Sequence, residues 1–394
     1  MLNTLTILNQ LGVKTSHTAE NYKFGDELEI HGVGLHGFTK PDGILYCGNS
    51  GTTMRLMLGL LAGQKFNSTL TGDASLNRRP MERVFKPLRQ MGARFEIEEV
   101  ESQRLIHVLP NDSLNKLHGI VYESPVASAQ IKSAIVLAGL RADGQTVVRE
   151  PVKSRDHTEL MLSAMGVKLE ISENEVRLLP PLKLNPVDVA VPADISSAAF
   201  FIVATLIVPN SSLTLKDVNL NPTRTGILDV LKSMGANIEV INLRIVLGEP
   251  MADLLVKSSQ LRNVEISGSV IPRLIDEIPI LALAGACAEG RMIVRDAKEL
   301  RVKESDRIVA IVRELSKLGV TIRELEDGFE IDGFGSSDQF KQPTQIFQSM
   351  MDHRLAMTAM IAGLVLKSPA GIDDVECVKT SFPEFFELLD LATT

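Results

Sequence analysis

A chain of 394 residues, 44% of them hydrophobic and 23% charged, holds enough apolar surface for two globular domains. Its formal charge of -8 and pI near 5.5 exclude the extended positive potential of a nucleic-acid or membrane-surface binder, so an anionic ligand has to be held by local Arg and Lys clusters. Cys47, Cys287 and Cys377 lie far apart in apolar contexts, which argues against a disulfide framework or a zinc site and predicts three buried free thiols.

In chain order, the first element is an amphipathic helix closing over residues 8–13, with Gly12 where a left-handed C-cap belongs. The same figure, an aliphatic residue, Gly and a strand-like tail, recurs at 88–93, 162–167, 231–236 and 315–320, around Gly92, Gly166, Gly235 and Gly319. Alternation such as Ala93-Arg94-Phe95-Glu96-Ile97 after the Gly predicts a half-exposed strand. A sixth amphipathic copy without the Gly spans 382–391. Alternating with these are helices that are small and apolar on nearly every face, at 52–62, 127–140, 195–208, 277–288 and 354–366. Such helices are buried, so these five are expected at the domain centres. The longest apolar run, 195–208, is too short to span a bilayer, and residues 1–12 lack a basic leader, so a cytoplasmic location is expected.

The proline-dense stretch 180–186 suits neither helix nor central strand and sets the expected boundary between an N-terminal lobe, 1–186, and a C-terminal lobe, 187–394. The architecture expected is α/β, with two similar lobes of three repeats each around buried helices, and a ligand cleft between them. Six amphipathic helices against five buried ones leave the first repeat of the N-terminal lobe incomplete, its first half missing.

Several motifs carry chemistry. Gly48-Asn49-Ser50-Gly51-Thr52-Thr53-Met54-Arg55 is a Gly- and hydroxyl-rich turn ahead of a buried helix. Its backbone N–H groups and the positive helix end suit an anion, although a helix cap alone explains the same residues, and no P-loop Lys follows. Asn77-Arg78-Arg79-Pro80-Met81-Glu82-Arg83 sets three arginines around a Pro suited to a helix's first turn. Three cations there oppose the macrodipole, which points to an anionic ligand or to a surface patch. Ser128 and Gln130 either cap the next buried helix or reach a hydroxylated, phosphorylated ligand. Asp156 and Glu159 fit a capping box, which leaves Arg155 for a phosphate.

Further on, Asp276-Glu277 precedes an apolar run, and Glu299 to Arg307 interleaves carboxylates with Lys303 and the arginines ahead of an amphipathic helix. That pattern suits a site that holds an anion and moves protons beside it, or an exposed, salt-bridged helix start. Asp352-His353-Arg354 precedes the last buried helix, and the absence of a Gly-x-Ser-x-Gly elbow disfavours a Ser-His-Asp hydrolase built on it. The inventory contains no cofactor motif and no metal-ligand spacing, which fits transfer between small anionic substrates without metal or cofactor.

With those motifs in order from residue 2 to residue 383, the sequence resembles the 5-enolpyruvylshikimate-3-phosphate synthase family. The resemblance implies a two-lobed fold of βαβαββ-type repeats and a reaction joining shikimate 3-phosphate to phosphoenolpyruvate through a tetrahedral intermediate, with release of phosphate. By motif, Ser128, Gln130 and Arg155 resemble the binders of shikimate 3-phosphate, while Asn49, Gly51, Arg79, Lys303, Arg307 and Arg354 resemble the groups around phosphoenolpyruvate. Asp276 matches the carboxylate that handles the 5-hydroxyl proton and binds the ring of shikimate 3-phosphate. Glu304 matches the acid-base group nearest the phosphoenolpyruvate methylene, and Lys303 stands beside them as a third catalytic candidate. Gly51 lies where a side chain would crowd the inhibitor glyphosate.

Two departures stand out. Thr380 occupies the place of a family Lys, so Lys379, one residue earlier, is put forward for phosphoenolpyruvate in its stead. The family's opening Lys-Ser-x-Ser-x-Arg element has no counterpart, so the chain is expected to be a truncated form with roughly 40 to 50 residues upstream, and an inactive binding protein is the alternative function. A UDP-N-acetylglucosamine enolpyruvyl transferase would carry a loop cysteine, which 79–83 lacks. A monomer with small-molecule partners, without nucleic acid or membrane, is expected.

Overall fold

A computed structural model describes residues 2–18, 27–101, 103–112 and 116–393. The chain divides into two compact units, Met1–Asp188 and Val189–Thr394.

The first unit opens on α1 (Leu2–Gln10) and the small hairpin of β1 (Lys14–Thr15) and β2 (Ile30–His31). Two complete repeats follow. One is β3 (Leu45–Tyr46), α2 (Gly51–Ala62), β4 (Ser68–Thr71), α3 (Ala74–Arg78), α4 (Glu82–Gln90), β5 (Phe95–Val100) and β6 (Gln103–Val108). The other is β7 (Val121–Glu123), α5 (Ala129–Gly139), β8 (Thr146–Arg149), α6 (His157–Ala164), β9 (Leu169–Ile171) and β10 (Glu175–Leu178).

The second unit has α7 (Ile195–Ile207), β11 (Ser212–Asn219), α8 (Gly226–Ser233), β12 (Asn237–Val246) and β13 (Glu249–Lys257). Its next repeat is β14 (Glu265–Ile266), α9 (Ile278–Cys287), β15 (Glu289–Val294), α10 (Arg307–Ser316), β16 (Thr321–Leu325) and β17 (Gly328–Phe334). The chain continues into α11 (His353–Gly363) and α12 (Phe385–Thr393). Among the described residues, each unit therefore holds two repeats and a partial one; for the first unit the sequence suggested an opening repeat without its first half, for the second three repeats.

Strand order is the same in every four-stranded sheet: β3-β4-β6-β5, β7-β8-β10-β9 and β14-β15-β17-β16. The first two strands of each are parallel and the last two form an antiparallel hairpin. In the sheet of β11 to β13 the first strand shrinks to one parallel bridge, Ala193 to Val218. Parallel neighbours need a crossover, and in each repeat the crossover is the apolar helix, which explains its burial. In the first unit α2 and α5 meet where a Cβ on Gly59 would lie 2.2 Å from the Ala134 carbonyl oxygen, so only glycine permits this approach. In the second unit Phe385 of α12 packs edge-on to Phe200 of α7, with ring centroids 6.1 Å apart.

All five predicted helix-ending glycines take positive φ, from 81° at Gly319 to 98° at Gly92. At Gly92 the backbone N–H groups of Gly92 and Ala93 reach the carbonyls of Arg89 and Leu88, the paired bonds of a Schellman end. Residues 180–186 form neither helix nor strand. Cys47 and Cys287 are buried free thiols that burial pushes up to about 12, whereas Cys377 is only half-buried. Among the described residues no helix is long and apolar enough to cross a membrane.

Two local readings are corrected. Arg78 ends α3 and Arg79 is its C-cap, while α4 starts only at Glu82. Two of the three arginines therefore sit at a helix end that tolerates cations, and the macrodipole argument for a ligand there fails. The capping box at Asp156 does not form either. Asp156 pairs with Lys153 at 2.9 Å, and Glu159 turns inward to Lys132 at 2.8 Å, because a buried ammonium outcompetes a solvated cap.

Ahead of α11, Met350 and Met351 are consecutive non-glycine residues with φ of 54° and 57°. Met351 is 79% exposed, so little packing repays its left-handed backbone. Met351→Gly is expected to raise stability by about 1 kcal/mol, read as a higher urea midpoint. An unchanged or lower midpoint would show that this turn is unstrained.

Candidate active site

In the second unit, three buried helices begin on acidic residues: Asp194 before α7, Glu277 before α9 and Asp352 before α11. Asp194 and Asp352 accept backbone N–H bonds from Ser196 and Arg354 at 3.3 and 3.0 Å, and all three carboxylates are matched by arginines. Arg224 donates to Asp194 at 2.7 Å and to the Ser196 hydroxyl at 2.6 Å, and that hydroxyl donates to Glu277. Arg354 lies 3.7 Å from the Glu277 carboxylate and donates to the Asp276 carbonyl at 3.0 Å.

Arg307, at the first turn of α10, is 1% exposed and is the hub of this cluster. Its Nε and Nη2 grip the two oxygens of fully buried Asp352 at 2.8 and 3.2 Å. Nη2 also donates to Glu304 at 2.7 Å, and Nη1 lies 3.5 Å from Asp276 Oδ1. Lys303 Nζ reaches the same Asp276 oxygen at 3.2 Å. One guanidinium thus brings Asp276 and Glu304 together across 28 sequence positions. The exposed, salt-bridged helix start fits Arg301, which pairs with Asp306 and Glu324, and fails at Arg307.

The electrostatics follow from burial. Desolvation opposes charge on Arg307, but the Asp352 and Glu304 carboxylates outweigh it and hold the proton more tightly than usual. Burial likewise raises the Asp352 carboxyl, and Arg307 more than reverses that. His353 is pushed down to about 4 by burial and then by Arg354, so it is neutral at physiological pH. Asp352 is committed to Arg307 and so does not orient His353 as a hydrolase triad would require.

In the first unit, Ser50 caps α2 by accepting the Thr53 N–H at 3.1 Å. Asn49 accepts from Arg79 at 2.8 Å and donates to Asp73 at 2.7 Å. Gln130 accepts from Arg55 and donates to Thr52 at 2.8 Å. Gly51 lies between two guanidinium groups: a Cβ there would sit 2.6 Å from Arg55 Nη1 and 3.3 Å from Arg79 Nη1. Ser128 is the N-cap residue of α5, yet its side chain makes no cap bond, so capping does not account for its hydroxyl. Arg155 is half-buried just ahead of α6.

A family model for EPSP synthase (3-phosphoshikimate 1-carboxyvinyltransferase) matches residues 1–389. The chain belongs to the EPSP synthase family. A relative named 3-phosphoshikimate 1-carboxyvinyltransferase from Pelobacter propionicus is 51% identical over 93% of this chain and 83% of its own. The structure of EPSP synthase from Acinetobacter baumannii superposes with a TM-score of 0.86, at 44% identity, over 99% of this chain and 87% of that one. The enolpyruvyl transferase NikO from Streptomyces tendae shares the fold, with a TM-score of 0.75 at 16% identity, over 100% of this chain and 86% of that one. Membership in the EPSP synthase family makes this an α/β enolpyruvyl transferase fold of mixed sheets and helices.

Lys379 sits in a short 3-10 turn and pairs with Glu376 at 2.7 Å, both side chains mostly exposed. Sequence reasoning passed over Arg55, Arg224, Glu277 and Asp352 as site residues. A charge directly ahead of a wholly apolar helix is the signal that marks the last two.

Proposed function

We propose that the chain transfers the enolpyruvyl group of phosphoenolpyruvate to the 5-hydroxyl of shikimate 3-phosphate, releasing inorganic phosphate. The observation that carries this is the single buried Arg307 holding Asp276 and Glu304. The 5-hydroxyl oxygen bonds to the enol carbon and gives its proton to Asp276, while the methylene carbon takes a proton from Glu304. Expulsion of phosphate, which takes up a proton equivalent to the one Asp276 received and gives up, and return of a methyl proton to Glu304 restore the double bond and both carboxyl groups. Alkoxide attack needs a base, the methylene needs an acid, and fixed cations cost no reorganisation as charge develops.

Asn49, Gly51, Arg79, Lys303, Arg307 and Arg354 bind phosphoenolpyruvate in this reading, and Ser128, Gln130, Arg155 and Asp276 bind shikimate 3-phosphate. Lys379 is assigned to phosphoenolpyruvate, which requires it to leave Glu376. The protein works as a cytoplasmic monomer supplying chorismate synthesis. Phosphate release from the two substrates together, absent with either alone or with UDP-N-acetylglucosamine as acceptor, tests the assignment. Release with the nucleotide sugar would replace it.

Glyphosate is proposed to bind in place of phosphoenolpyruvate beside Gly51. A methyl group at this position must first displace Arg55 and Arg79, which touches both ligands, and then crowds the longer inhibitor. Gly51→Ala is expected to raise the phosphoenolpyruvate KM several-fold and the glyphosate inhibition constant by a larger factor. Equal factors for both would remove the steric argument.

A further inference from the structure

Lys132 interrupts the apolar face of α5 and is wholly buried, with its ammonium 3.0 Å from Glu150 and 2.8 Å from Glu159. Both carboxylates are buried as well. Burial works against the Lys132 charge, but Glu159 and Glu150 outweigh it, so the ammonium stays protonated. An ion network of this kind adds little net stability over an apolar replacement, because desolvation consumes most of the Coulomb gain. Its use is therefore to be sought in what its members hold.

Glu150 holds two segments at once. One carboxylate oxygen accepts the backbone N–H of Ser128, at the head of α5, at 3.0 Å. The other accepts the Ser154 hydroxyl at 2.8 Å and the Ser154 N–H at 3.3 Å. Lys132 completes the clamp by donating to the Ser154 carbonyl at 3.4 Å. Ser128 and Gln130 lie on one clamped segment, and Arg155 is the residue after Ser154 on the other. Glu159 differs: its Oε1 pairs with Lys132, and its Oε2 is buried without a hydrogen-bond partner.

We propose that Glu150, neutralised by Lys132, is a positioning residue that fixes the spacing between Ser128 and Arg155 and so sets affinity for the phosphorylated ring of shikimate 3-phosphate. The inference rests on the functional reading above. A clamp of this kind acts chiefly on one substrate, since the phosphoenolpyruvate groups lie on other segments and meet the clamped one through Gln130, which bonds Arg55 and Thr52.

In Glu150→Gln an amide NH2 replaces one oxygen and must face either the Ser128 N–H or the Ser154 donors, so one arm of the clamp opens in either orientation. Shikimate 3-phosphate binding to the full chain, measured by calorimetry, is expected to weaken tenfold or more, with its KM rising in step and the phosphoenolpyruvate KM within twofold of wild type. Glu159→Gln removes a carboxylate from the same ammonium without touching Ser128 or Ser154, and leaves a one-to-one Lys132–Glu150 pair. It is expected to keep both KM values within twofold whatever its effect on thermal stability. Glu150→Asp, which keeps the charge but shortens the reach, serves where the amide variant does not fold and is expected to give the same selective loss. Equal weakening of both substrates, or the same selective loss in Glu159→Gln, overturns the positioning role. Wild-type protein that fails to bind shikimate 3-phosphate overturns the functional reading itself, and the proposal with it.

Discussion

Glu304→Gln is expected to lower kcat by about 10²- to 10⁴-fold while leaving both KM values within a few-fold of wild type. The amide keeps an oxygen that can accept from Arg307 Nη2, now 2.7 Å from the carboxylate. Arg307 retains its two bonds to Asp352, so the buried guanidinium is still paired and the fold survives. What disappears is a proton to give to and take from the methylene carbon. A structural role alone would instead show as lost stability with activity recovered on cooling. Turnover within tenfold of wild type in a folded variant would remove Glu304 from the chemistry.

The parts of the fold that were legible in the sequence are those with a local cause. A glycine that must take positive φ at Gly12, Gly92, Gly166, Gly235 or Gly319 advertises a helix end by itself. A helix apolar on every face, such as α9, announces burial without reference to its neighbours. The site residues at Asp276, Glu304 and Arg307 were legible as a set of types in order, whereas their meeting on one guanidinium was not. Arg307 finds Asp352 45 positions away, and no local pattern encodes such a pairing. Lys132 is the clearest missed sign, since a lone cation inside an apolar helix requires buried counter-charges somewhere in the chain. The misplaced helix start at Arg78 and Arg79 has a related origin. Asp73 caps α3 through the Leu76 N–H at 2.8 Å, so the short helix closes on the arginines where the sequence pattern suggested one that opens on them.

Asp352→Ala is expected to cost about 3 to 5 kcal/mol of stability and to abolish turnover, because it strands the most deeply buried charge at the site. Arg307 loses both of its bonds to that residue, at 2.8 and 3.2 Å, and α11 loses the cap on the Arg354 N–H. Glu304 and Asp276 stay within reach of the guanidinium, but both are partly exposed and are assigned to proton transfer. Drawn onto an under-compensated Arg307, they would be held as counter-ions rather than as base and acid. The cost arises from the unpaired charge, not from the missing side chain as such. The double variant Arg307→Met with Asp352→Ala is therefore expected to recover a large part of the urea midpoint while remaining inactive, since an apolar pair needs no compensation. Separation of stability from activity in that double variant is the decisive reading. A single Asp352→Ala protein that unfolds within about 1 kcal/mol of wild type would show that Glu304 and Asp276 suffice to neutralise Arg307, and that the buried pair is dispensable to the fold.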